Sequence, residues 1–112
     1  MSKTLKTLGK IEELDLLFEA SLEQPIIFFK HSRTCPISRN VLDDVSGIAG
    51  DIWVAVVQDA RRVCDAIAER TGIRHESPQA IVIRNEQAVF HASHYDITLR
   101  ELESYLESEE AQ

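Results

Sequence analysis

Two runs of consecutive apolar residues, Ile26-Ile27-Phe28-Phe29 and Ile52-Trp53-Val54-Ala55-Val56-Val57, restrict the folds open to this chain more than any other feature. A strand with one wet face alternates apolar and polar side chains, so an unbroken apolar run of strand length needs cover on both faces. That is the situation of a strand inside a parallel sheet with helices above and below. The segment between the runs supplies a crossover helix. From Pro36 to about Ser46 it carries Ile37, Val41, Leu42 and Val45 on one stripe, and Gly47 and Gly50 mark its end. Two parallel strands joined this way take a right-handed connection.

The remaining segments fit around that unit. Ile11, Leu14, Leu17, Phe18 and Leu22 follow helical spacing over about 11–22, and Pro25 stops the helix. A third helix over about 60–71 gathers Ala60, Val63, Cys64, Ile67 and Ala68 on one stripe and closes at Gly72. Ala80-Ile81-Val82-Ile83 and Ala88-Val89-Phe90 flank Asn85-Glu86 as a hairpin. Asp96, Ile97 and Thr98 introduce a last helix over about 97–107, with Thr98 and Glu101 spaced as a capping box. The expectation is an α/β fold, a four-stranded mixed sheet sandwiched by helices, in one domain spanning residues 1–112.

Composition narrows the class of function. A net charge of −7 argues against non-specific nucleic-acid binding, which needs basic surface. Much of the acid sits peripherally at Glu101, Glu103, Glu107, Glu109 and Glu110, where a solvated helix face and a fraying end are expected. The start, Met1-Ser2-Lys3-Thr4-Leu5-Lys6, lacks the apolar stretch of a signal peptide, and no run approaches a membrane span. Two cysteines are too few for a secreted disulfide framework. A cytoplasmic protein with no membrane partner is expected, and in that compartment a cysteine is more often catalytic or metal-binding than structural.

Cys35 is the candidate. It follows the first apolar strand directly and precedes Pro36, and proline suits the first position of a helix. Cys35 is then the N-cap, with the backbone N–H groups of Ile37 and Ser38 directed at its sulfur and the positive end of the helix dipole favouring thiolate. Lys30, Arg33 and Arg39 surround it in sequence as a basic patch able to steer an anion. Three residues on, where a dithiol site would have its second cysteine, stands Ser38. Any disulfide formed by Cys35 is therefore mixed or uses a distant partner. Cys64 does not suit that part, because its helix should pack on the opposite sheet face and a bridge needs Cα atoms within about 7 Å. Ser38 either donates to the thiolate or helps cap the helix, and His31 either tunes Cys35 or is a satisfied core histidine. His31, His75, His91 and His94 show no zinc-ligand spacing with the cysteines, so no metal is expected.

The element order, with a cysteine after the first buried strand and a proline before the third, is that of the thioredoxin-like fold. The segments His31-Ser32-Arg33-Thr34-Cys35-Pro36-Ile37-Ser38, His75-Glu76-Ser77-Pro78-Gln79 and His94-Tyr95-Asp96-Ile97 resemble, in order and spacing, those of the YtxJ-type monothiol bacilliredoxins. The likeness covers nearly the whole chain. It implies a thiol-disulfide oxidoreductase that removes bacillithiol from protein mixed disulfides, with bacillithiolated client proteins as partners, bacillithiol as co-substrate and no other cofactor. It further implies Cys35 as catalytic residue, with Thr34, Pro36, Ser38, Ser77, Pro78 and His94 lining the substrate site and His75 near its rim; Arg33, standing where threonine is familiar in the family, is added to that lining as a cation beside Cys35. By analogy with thioredoxin-like proteins the Ser77–Pro78 bond is cis. Two competing readings are an iron–sulfur carrier of the monothiol glutaredoxin type, against which Pro36 counts by stiffening the site, and a redox-inactive binding module. A thiol peroxidase would need Thr-x-x-Cys, whereas Thr34 is adjacent to Cys35.

Overall fold

The computed structural model describes residues 5–107; Met1–Thr4 and the acidic residues Glu109 and Glu110 lie outside the described residues. Along the chain run β1 (Leu5–Thr7), α1 (Ile11–Ala20), β2 (Ile26–His31), α2 (Pro36–Val45), β3 (Ile52–Val56), α3 (Arg61–Thr71), β4 (Gln79–Arg84), β5 (Gln87–Ser93), a 3-10 turn (His94–Asp96) and α4 (Leu99–Glu107). The sheet has five strands in the order β1-β3-β2-β4-β5, one more than the four expected. The additional strand is β1, three residues paired in parallel with β3 and lying at the sheet edge. Three residues with Lys6 and Thr7 exposed carry too little periodicity to be read from sequence.

The two apolar runs become β2 and β3, parallel neighbours in the middle of the sheet. β4 joins β2 antiparallel and β5 joins β4 through Asn85-Glu86, both at positive φ (55° and 65°), as a two-residue primed turn requires. Buried Ser21 pins that turn: Asn85 N–H donates to its carbonyl and Glu86 N–H to its hydroxyl, each at 2.8 Å.

Alternation along β2 divides the core. Phe28 joins Leu14, Phe18, Cys64, Ile67 and Ile81 on the face covered by α1 and α3. Phe29 joins Val41, Val45, Ile52, Val82 and Leu102 on the face covered by α2 and α4. Cys64 and the helix that starts after Cys35 are thus on opposite sides of the sheet, and both cysteines are free thiols.

Two helices differ from expectation at their ends. α1 stops at Ala20, leaving Leu22 half-exposed beyond it. α4 starts at Leu99, because Ile97 is extended at the end of the 3-10 turn and Thr98 caps the helix, accepting Glu101 N–H at 3.3 Å.

Candidate active site

Because β4 runs against β2, and β5 against β4, the end of β2, the start of β4 and the end of β5 share one edge of the sheet: Lys30 pairs with Gln79, and Gln79 with Ser93. The end of parallel β3 lies there too, His31 pairing with Val56. Four segments therefore meet: Ser32 to Cys35, Gln58-Asp59, His75 to Pro78, and His94-Tyr95. Ligands of open α/β sheets gather at such strand ends.

Cys35 is the N-cap of α2 in extended conformation (φ −105°, ψ 115°), with Pro36 in the first turn, and it is partly exposed. Its side chain accepts no cap hydrogen bond, so the donors expected from Ile37 and Ser38 are not engaged by the sulfur. Ser38 is fully buried and otherwise occupied. Its Oγ receives Ser32 N–H at 3.0 Å and lies 2.7 Å from His31 Nδ1. Burial, followed by the charges of Arg39 and Arg33, holds the His31 imidazole below its ordinary pKa, with Asp43 opposing. With His31 neutral, its Nδ1 accepts a hydrogen bond from the Ser38 hydroxyl, which satisfies both groups and assigns the ring N–H to Nε2. Ser38 thus ties the end of β2 to α2, a role outside the two alternatives of thiolate donor and helix cap.

The loop ahead of Cys35 is clasped by the residues after β3. Gln58 Oε1 accepts Arg33 N–H at 3.1 Å, and its Nε2 donates to Ser32 Oγ at 3.1 Å and Thr34 Oγ1 at 3.5 Å. Arg33 pairs with Asp59 at 2.5 Å, both side chains more than half exposed. An ion pair so exposed is weak and easily exchanged for another anion. The basic patch read from sequence therefore changes. Arg33 is paired, exposed Arg39 lies on α2, and Lys30 is wholly buried on the α1 and α3 side, away from the Cys35 helix. Gln58 and Asp59 were not singled out in the sequence, although their place directly after a buried parallel strand marks them.

On the other flank the Ser77–Pro78 bond is cis, Ser77 is partly buried and Pro78 buried. His94 N–H donates to Pro78 O at 3.0 Å, and His94 Nδ1 is 3.9 Å from Glu76 Oε1. The Ser93 hydroxyl holds the Glu76 carboxyl below its usual range. His94 adopts φ 56°, a conformation uncommon outside glycine that is met at binding sites. Exposed Tyr95 accepts a hydrogen bond from Asn40 of α2 at 3.4 Å, so the turn after β5 leans on the Cys35 helix. Of the expected site residues, Arg33, Thr34, Ser77, Pro78 and His94 belong to segments meeting at this edge, and Pro36 and Ser38 to the first turn of α2 that follows Cys35 directly. His91, by contrast, is exposed within β5.

A cavity of about 490 Å³ bounded by Leu17, Pro25, Trp53 and Leu106 lies at the opposite end of β2 and β3. Among the described residues no group of three His, Cys, Asp or Glu side chains is placed to hold a metal ion, and no helix is long and apolar enough to cross a membrane.

The two perturbed histidines set a pH dependence. Burial lowers the pKa of His31 and of His75, so below the ordinary value of 6.5 the unfolded chain binds protons that the native protein resists. Their contribution is complete above that value and is lost as pH falls through the folded values. The thermal midpoint should therefore fall between about pH 7 and about pH 5, a window above the range in which Glu76 titrates. Melting curves followed by circular dichroism check this. A midpoint independent of pH across that window would contradict the burial of the two rings.

Comparison with known proteins agrees with this architecture. Residues 6–102 match the model of the family described as Monothiol bacilliredoxin BrxC. A solved structure described as a candidate oxidoreductase with a thioredoxin fold is 31% identical, covers 91% of this chain and 93% of its own, and superposes with a TM-score of 0.83. The thioredoxins of Trypanosoma brucei brucei (9% identity, 100% of this chain and 96% of that one, TM-score 0.76) and Fasciola hepatica (14%, 91% and 96%, 0.71) share the fold.

Proposed function

The chain belongs to the monothiol bacilliredoxin family, and from that premise we propose that it removes bacillithiol from protein mixed disulfides through Cys35. Family and fold establish a thioredoxin-fold protein with a thiol redox role; the substrate is our reading. The observation that carries it is the pairing of one accessible thiol with a buried serine. Cys35 is partly exposed at a helix start, Ser38 stands where a resolving thiol would be, and Cys64 is buried across the sheet. Burial also pushes the Cys64 thiol up, which keeps it protonated and unreactive.

The exchange needs no further group. The Cys35 thiolate attacks the bacillithiol sulfur of the mixed disulfide, a new S–S bond forms as the old one breaks, and the client leaves as thiolate. Bacillithiol then remains on Cys35. A second bacillithiol thiolate attacks its sulfur, returning Cys35 and producing bacillithiol disulfide. In this reading Thr34, Pro36, Ser77, Pro78 and His94 form the rim that receives the client. Arg33 exchanges Asp59 for an anionic group of bacillithiol, the protein works in the reducing cytoplasm, and neither nucleic acid nor membrane takes part.

A client protein carrying bacillithiol in disulfide linkage should release its thiol while intact-mass analysis finds one bacillithiol on Cys35. The same client carrying glutathione should react more slowly at low ionic strength, with the difference shrinking as salt rises. Equal rates at every salt concentration would remove the anion preference. Failure to react with either client while Cys35 is reduced would leave a binding module instead.

A further inference from the structure

Lys30 is wholly buried on the face of β2 that packs against α1 and α3, and its Nζ lies 3.2 Å from His75 Nδ1. A methionine would fill nearly the same space without taking a cation out of water, and apolar replacement of buried charge is often neutral or stabilising. Packing therefore does not account for the ammonium. What it adds is a donor. The acceptor it reaches belongs to residues 72–78, a stretch without helix or strand between α3 and β4.

A second buried side chain reaches the same stretch. Gln79, the Cα partner of Lys30 in the β2–β4 ladder, donates from Nε2 to Arg74 O at 2.9 Å, leaving its own Oε1 without a partner. Two polar residues at paired strand ends thus hold the segment that ends in Ser77-Pro78 from below. His94 N–H holds it from the β5 side. Around this contact, burial lowers the pKa of Lys30 and the Asp65 carboxylate of α3 opposes that, while Arg61 and Glu76 act on His75 in opposite senses. Burial and the neighbouring ammonium keep His75 neutral, so its Nδ1 can accept.

We propose that Lys30 is a positioning residue: through His75 it fixes the main chain of the Ser77-Pro78 segment so that an extended stretch of a polypeptide substrate is held beside Cys35. The proposal rests on Cys35 and Pro78 being two halves of one site, and it identifies the buried pair that holds the second half in place. Only a polypeptide long enough to lie along Ser77 gains from a fixed main chain there, because strand-like pairing draws on backbone groups that a small disulfide lacks.

The test compares two substrates in the parent, Lys30→Met, His75→Leu and the double variant. One is the small aromatic disulfide of nitrothiobenzoate, the other a decapeptide carrying the same aryl thiol on a central cysteine. Lys30→Met should melt no lower than the parent. In each single variant the ratio of peptide to small-disulfide kcat/KM should fall about tenfold, mainly through KM for the peptide, as expected of lost orientation. The double variant should fall no further, since both residues act by one route. An unchanged ratio, equal losses on both substrates, or losses that multiply in the double variant would each overturn the proposal. If Lys30→Met does not fold, His75→Leu decides by the same ratio. A parent inert toward both substrates would instead refute the reading of Cys35 itself.

Discussion

Replacing Cys35 with serine should lower thiol-disulfide exchange by about a thousandfold or more, because a hydroxyl is not ionised at neutral pH and no second group can take over the attack. Stability should be retained. The cysteine side chain accepts no cap hydrogen bond, and serine is among the preferred N-cap residues, so the melting temperature should equal or slightly exceed that of the parent. Both quantities are accessible in one preparation, by release of client thiol and by thermal melting. Residual exchange above about a hundredth of the parent rate would point to Cys64, against its burial and its raised pKa. Loss of activity together with loss of folding would make Cys35 a structural residue.

The central fold was legible because both faces of β2 and β3 are covered, and continuous apolar runs record that directly. The place of Cys35 was legible for a local reason: Pro36 announces the first turn of a helix, and the N-cap follows. β1 was not, since a three-residue edge strand with two exposed positions owes its existence to β3 rather than to its own pattern. The flanking cations show a different gap. Counting Lys30 with Arg33 and Arg39 treats nearness in sequence as nearness in space. Side chains of a strand alternate, and one step from Phe29 to Lys30 moves a residue to the far side of the sheet. That much could have been taken from periodicity. The pairing of Arg33 with Asp59, the hold of Gln58 on Ser32 and Thr34, and the reach of Lys30 to His75 join segments 24 to 45 positions apart, and a single sequence does not register such contacts.

Ser38 carries the largest remaining consequence, because it decides whether an adduct on Cys35 can be cleared from within. In Ser38→Cys the introduced thiol would stand one helical turn from Cys35, where Cα atoms three residues apart lie about 5–6 Å from each other and within reach of a disulfide. Its thiolate would attack Cys35 Sγ, close an intramolecular disulfide and expel bacillithiol, with the reducing equivalents coming from the introduced thiol. Intramolecular attack by an oriented group exceeds a dilute external thiol by large factors, so the adduct should disappear at least about a hundredfold faster and at a rate independent of added thiol. One cost is fixed in advance. His31 loses the hydroxyl at 2.7 Å and Ser32 N–H its acceptor, so stability should drop by about 1–2 kcal/mol. Quenched-flow mass analysis of the isolated adduct without added thiol separates the outcomes. Rapid loss of bacillithiol in Ser38→Cys with persistence in the parent means that a single atom at this position makes the site monothiol. Equal persistence in both would mean that the fully buried position cannot present a thiol to Cys35, and that the serine is retained for its bond to His31.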